Sequence, residues 1–179
     1  GRVGQMPTVR EGLYSSPHNG LFFNFKSKDA GEADLLSAQL KAAGRDPITS
    51  RDAVYGAQGP VDRMRKLHPV IWAWTKDEVK ACTKDYVLYG WTGIVPESCR
   101  DRTIIVPLNY QWAFWGWPDR MIGRMESVNA RIILTGPYES GEGGPKGLTK
   151  MEEISDIPMT FNGYVWVENI HEIGPAIQR

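Results

Sequence analysis

The sequence predicts an α/β fold with a parallel sheet, and three observations carry that reading. Short apolar runs recur along the chain, a helix signal follows most of them, and the runs are apolar on nearly every residue instead of on alternate ones. Strands of that kind must be covered on both faces, which marks parallel sheets with helices packed on them. Alternation of strand and helix implies right-handed crossovers, and both an open doubly wound sheet and a closed barrel satisfy it. At 179 residues a single domain is the default.

Taken in order, Thr8-Val9-Arg10-Glu11 is a capping box that opens a short helix ahead of the first strand, Leu21-Phe22-Phe23-Asn24-Phe25-Lys26. A helix over about 31–43 follows, with Ala33, Leu36, Leu40 and Ala43 on one face. Ala53-Val54-Tyr55-Gly56-Ala57 is the second strand, and Pro60 is a good first residue for a helix continued by Val61, Met64 and Leu67. Val70-Ile71-Trp72-Ala73-Trp74 is the third, leading into the capping box Thr75-Lys76-Asp77-Glu78. Thr103–Leu108 is the fourth, after which Pro118 opens a helix carrying Met121, Ile122 and Met125. Arg131–Thr135 and Gly163–Val167 are the fifth and sixth, with a capping box at Thr149-Lys150-Met151-Glu152 between them. The stretch 139–147 is a Gly-rich loop over one end of the sheet. The stretch 109–118 crowds Tyr110, Trp112, Phe114, Trp115 and Trp117 into a loop after a strand, which either folds down as a plug or lines a pocket.

Composition narrows the partners. Lys plus Arg and Asp plus Glu both total 21, so no broad field draws the chain to nucleic acid or to an anionic membrane. No apolar run approaches the roughly 20 residues of a membrane helix, and residues 1–20 lack the order of a signal peptide, so the chain reads as soluble. Its start at Gly1-Arg2-Val3-Gly4 reads as a mature or trimmed end. Cys82 and Cys99 form either a disulfide or two buried thiols; a disulfide argues for a periplasmic or secreted compartment and reduced thiols for the cytoplasm.

Several chemistries are missing from the sequence. It has no glycine-rich phosphate loop, no Gly-x-Ser-x-Gly, no His-Glu-x-x-His and no Cys-x-x-Cys. Of the three histidines, His18 and His68 read as turn or cap residues, and His171 lies beyond the last strand. In parallel folds chemistry gathers at the C-terminal ends of strands. Asn24 and Lys26 share one face of the first strand by its period of two, and an amide and an ammonium there are costly to bury without partners. Gln58, Trp74, Asn109, Thr135 and Glu168 hold comparable positions at other strand ends.

Met6-Pro7-Thr8-Val9-Arg10-Glu11-Gly12-Leu13 followed by Leu21-Phe22-Phe23-Asn24-Phe25-Lys26 resembles a segment of glycerophosphodiester phosphodiesterases. Tyr89-Gly90-Trp91-Thr92-Gly93-Ile94-Val95-Pro96-Glu97-Ser98-Cys99-Arg100 and Val106-Pro107-Leu108-Asn109-Tyr110 are similar to a bacterial branch of that family, and the likeness covers essentially the whole chain. The resemblance implies an eight-stranded (β/α) barrel of the TIM type, of which this chain supplies roughly strands 4 to 8. It also implies a phosphoric diester hydrolase that cleaves glycerophosphodiesters to an alcohol and glycerol 3-phosphate with a divalent metal, Mg²⁺ or Ca²⁺. On that register the family's catalytic His, Glu and Asp motifs precede Gly1, so the isolated chain should be inactive. Lys26 would contact phosphate as the catalytic residue present, Asn24 would sit at the metal position, and Trp74, Asn109, Trp112 and Glu168 would bind substrate. The family has Glu where Asn24 stands, and a neutral amide should weaken the metal. The acidic turn at the last strand also departs, reading Val167-Glu168-Asn169.

Two other classes fit the same residues. A non-catalytic module would stack a carbohydrate or lipid head group on the aromatic loop 110–117. An incomplete barrel would bury its open edge against another copy or against the preceding strands, because exposed edges are adhesive.

Overall fold

The computed structural model describes residues 20–141 and 144–168. It divides into two compact units, Gly1–Lys76 and Asp77–Arg179, each built round its own sheet. The capping box at Thr8, His18 and His171 lie outside the described residues.

The first unit runs β1 (Phe22–Phe25), α1 (Gly31–Ala42), β2 (Ala53–Gly56), α2 (Gln58–Leu67) and β3 (Trp72–Thr75). The three strands are parallel in the order β1-β2-β3, with Phe22, Ala53 and Trp72 in one row and Asn24, Tyr55 and Trp74 in another. The helices form where the apolar spacing predicts. Gly31 donates its N–H to the Asp29 carboxylate at 2.9 Å, and Glu32 and Asp34 place negative charge on the positive end of α1. Gly44, with φ +65°, takes the left-handed turn that ends the helix, and Arg45 N–H returns to the Leu40 carbonyl at 2.9 Å. Ala33, Leu36 and Leu40 of α1 and Val61 and Met64 of α2 close on Phe25, Val54 and Ala73 to make the core. Each larger side chain contributes roughly 1.5–3 kcal/mol by leaving water.

Two local devices fix this unit. Arg45 donates to both carboxylate oxygens of buried Asp52, at 2.7 and 2.6 Å, and Asp52 also accepts the Leu21 N–H at 2.8 Å, which anchors the start of β1. Gly56 has φ +132°, and a Cβ there would collide with the Phe25 carbonyl, so only glycine allows β1 and β2 to approach at this end.

The second unit runs α3 (Lys76–Tyr89), β4 (Thr103–Pro107), α4 (Asp119–Ser127), β5 (Arg131–Thr135) and β6 (Tyr164–Val165), again parallel in the order β4-β5-β6. Short 3₁₀ turns occupy Gly90–Thr92, Glu97–Cys99, Leu108–Ala113 and Met151–Asp156. Ile104, Val106, Ile132 and Leu134 present one face to Cys82 and Tyr86 of α3 and to Met121 and Met125 of α4. Cys82 and Cys99 form a buried disulfide with Cα atoms 4.6 Å apart, tying α3 to the turn that leads into β4.

The architecture corrects the barrel expectation. The described residues make two small three-stranded parallel sheets instead of strands 4 to 8 of one (β/α)8 ring, and no closed barrel is seen among them. The alternation of strand and helix is as predicted; a sheet that stops at β3 and starts anew at β4 has the same alternation. Smaller shifts have local causes. Pro60 is the third residue of α2 instead of its first, tolerated because the first-turn N–H groups have no helical partner. The turn expected from Thr149 begins at Met151, where the Glu153 carboxylate accepts the N–H groups of Thr149 and Lys150 at 2.8 and 3.1 Å. The sixth strand shortens to Tyr164–Val165, with a further bridge from Leu148 to Val167.

Candidate functional site

In the first unit the period of two divides the sheet cleanly. Phe25, Val54 and Ala73 face the helices, while the other face carries Phe22 and Asn24 from β1, Tyr55 from β2 and Trp72 and Trp74 from β3. Phe22 lies 5.3 Å from Trp72 at 76° and 5.9 Å from Trp74 at 68°, because Ala53, between Phe22 and Trp72 in the row, leaves room for the rings to meet. Tyr55 stacks on Trp74 at 5.1 Å and 8°, and Trp72 and Trp74 are 4.8 Å apart. Asn24 hydrogen-bonds the Tyr55 phenol. Burial raises the pKa of Tyr55, and the Asn24 hydrogen bond offsets part of that rise by favouring the phenolate.

The two tryptophans are buried, Tyr55 is half-buried, and Phe22, Asn24 and Lys26 are exposed. Lys26 follows directly on the C-terminal end of β1. The structure therefore brings the predicted Asn24 and Trp74 into one row, with Lys26 one pleat further on.

As a metal position this row is poor. It offers one neutral amide oxygen and a phenol beside an ammonium, and a hard cation wants several oxygens, carboxylates above all. Among the described residues no group of three or more His, Cys, Asp or Glu side chains could hold a metal ion.

Apart from Gln58, the remaining candidates belong to the second unit, and two of them hydrogen-bond neighbouring backbone. Asn109 donates to the Tyr138 carbonyl at 2.9 Å and accepts the Tyr138 N–H at 2.8 Å, so its amide clamps the segment after β5 to the segment after β4. Glu168 accepts the Gly147 N–H at 3.1 Å, next to the bridge between Leu148 and Val167. Thr135 is buried and donates to the Gly136 carbonyl, and in the first unit Gln58 donates to Asp62.

The inner part of the aromatic loop folds down as a plug. Phe114 is in the core, Trp117 packs on Phe161 at 5.5 Å and donates to Gln111, and Trp115 donates to the Val87 carbonyl. Its outer part points the other way. Trp112 is 81% exposed, and Tyr110 stands 6.2 Å from Trp112 and 6.3 Å from Tyr138.

Sequence reasoning missed Phe22, Tyr55 and Trp72 on the first face, although their period of two was readable; what was missing was the register that sets them beside Asn24. It also missed Arg124, whose guanidinium donates to the Tyr86 hydroxyl and to the carbonyls of Gly90 and Trp115, at 3.2, 3.1 and 3.3 Å.

No family model matches the chain, and neither a curated protein nor a solved structure was found to be similar to it. No helix among the described residues is long and apolar enough to cross a membrane.

Proposed function

We propose that the chain takes part in glycerophosphodiester hydrolysis as a phosphate- and alcohol-binding element, with Lys26 toward the phosphate and Asn24 and Trp74 beside it. One observation carries this reading: Asn24 and Lys26 leave the C-terminal end of a parallel strand next to an aromatic row, the edge at which parallel sheets bind ligands. The motif resemblance supplies the substrate class. An ammonium can offset charge on the non-bridging oxygens of a phosphodiester. A divalent ion, which the resemblance also implies, would receive one neutral oxygen from Asn24. The Cys82–Cys99 disulfide supports a periplasmic or secreted compartment.

The test is calorimetric titration of the chain with glycerol 3-phosphate. Saturable binding is expected, weakened about tenfold or more in Lys26→Ala and unchanged in Trp112→Ala. No turnover of glycerophosphocholine with Mg²⁺ or Ca²⁺ is expected of residues 1–179, and activity above a buffer blank would overturn the view that this chain binds without cleaving.

The exposure of Trp112 beside Tyr110 and Tyr138 favours a second reading, a module that stacks a sugar or head group on its aromatic loop. In that case Trp112→Ala abolishes a ligand-induced fluorescence change and Lys26→Ala is silent.

A further inference from the structure

We infer that the second unit carries a site for a neutral sugar ring at the C-terminal edge of its sheet, with Asn109 as the residue that positions it. The inference rests on the second reading above, a ring stacked on the aromatic loop, and names the ligand class and the group that orders the site. Pro107 and Thr135 end β4 and β5 side by side. The 3₁₀ turn Leu108–Ala113 leaves directly from β4, and Tyr138 follows shortly after β5. Tyr110, Trp112 and Tyr138 therefore gather at the edge where parallel sheets bind ligands. Tyr110 is the shared neighbour, 6.2 Å from Trp112 and 6.3 Å from Tyr138. Trp112 is 81% exposed, so a ring can stack on it without any cavity.

Charge and hydrogen bonding choose the ligand. Residues 108–118 and 132–138 include no charged side chain, and the charged residue nearest to the three rings along the chain is the exposed Glu139. A phosphate, a uronate or a nucleic acid gains no counter-charge from these segments and has an acidic neighbour. A purely apolar ligand would leave the polar tips of the rings unused: among the described residues the Trp112 indole N–H and the Tyr110 and Tyr138 hydroxyls bond no protein group. A neutral sugar uses both, packing the C–H face of its ring on the indole and turning its hydroxyls to those tips. Asn109 sets the arrangement. Its amide donates to the Tyr138 carbonyl at 2.9 Å and accepts the Tyr138 N–H at 2.8 Å, so one side chain, next in sequence to Tyr110, holds Tyr138 by its backbone. Groups ordered before the ligand arrives lose less freedom on binding. Both hydrogen bonds are exposed, so water replaces them when the amide is removed.

The experiment titrates the full chain with cellohexaose, maltohexaose and mannohexaose, and with hexagalacturonate and phosphocholine as charged comparisons, following tryptophan fluorescence. At least one neutral sugar should bind saturably, about fivefold tighter than either charged compound or better. Trp112→Ala should remove the fluorescence change, a loss of about tenfold or more in affinity. Asn109→Ala should keep the size of the change at saturation and raise its midpoint roughly fivefold, with circular dichroism and the urea midpoint as in the wild type. Tyr138→Leu, which leaves the backbone clamp in place, should give the same shift and carries the test where Asn109→Ala alters the circular dichroism. Saturation by none of the neutral sugars overturns the inference, as does equal or tighter binding of a charged compound. A fluorescence change that survives Trp112→Ala overturns the stacking reading together with the inference. A change lost in Trp112→Ala but with its midpoint unmoved in both Asn109→Ala and Tyr138→Leu keeps the stacking reading and overturns the positioning role.

Discussion

Tyr55 holds its proton more tightly than a tyrosine in water, because removing the ring from solvent penalises the phenolate more than the Asn24 hydrogen bond relieves it. A group whose folded pKa lies above its unfolded value favours folding in its protonated state. Its contribution is complete below the ordinary value of 10.0 and is lost as pH climbs through the raised one. The first unit should therefore weaken in alkali from about pH 10 upward. The chain has seven tyrosines, so the difference between phenolate absorbance titrations of the wild type and Tyr55→Phe isolates this one. That difference should be centred above the ordinary tyrosine range, and a centre at or below it would refute the coupling. At this scale the candidate site was only half legible in the sequence. Asn24 and Lys26 stood out because polar groups on an apolar strand are expensive, whereas Tyr55 looked like an ordinary strand residue until the register set it opposite Asn24. Asn109 and Glu168 show what strand-end position leaves out, since both side chains hydrogen-bond neighbouring backbone that the sequence does not place beside them.

Elements were the best-read scale, for a physical reason: a helix face and an apolar strand are local patterns. The spacing of Ala33, Leu36 and Leu40 located α1 to within a residue at its C-terminal end, and the Thr75–Glu78 box placed the start of α3 at Lys76. Pairing between strands is not local, and neither was the disulfide, which the sequence left open between two outcomes. That bond joins residues 17 apart and encloses an uncharged stretch, Tyr86–Pro96, in which Trp91 and Ile94 are exposed. Closing a loop of this size removes unfolded-state freedom worth about 3 kcal/mol. The paired replacement Cys82→Ala and Cys99→Ala should lower stability in urea by roughly that amount, with the m-value rising as the unfolded chain expands. A change below about 0.5 kcal/mol would mean that packing around both sulfurs, already fully buried, does the restraining alone.

For the molecule as a whole, the balance of 21 basic and 21 acidic side chains sets behaviour that neither the residue nor the element scale contains. The chain is isoelectric near pH 7.0, so it carries no net repulsion where most proteins rely on it. Apolar side chains stand in water at Val70, Trp91, Ile94, Trp112 and Met159, all more than 60% exposed. Among the described residues the sheets end at β1 and β3 and at β4 and β6. Edges and apolar patches attract copies of the chain, and only net charge opposes them over distance. Self-association should therefore peak near pH 7 and fall toward both about pH 5 and about pH 9 as charge of either sign develops. Sedimentation velocity across that range, repeated with Trp91→Asp, separates the contributions. The variant should both weaken the peak and shift it to lower pH. A chain that sediments as a clean monomer at high concentration and pH 7 would mean that the exposed side chains and sheet edges are too dispersed to form a contact, and that the neutral charge balance has no associative consequence.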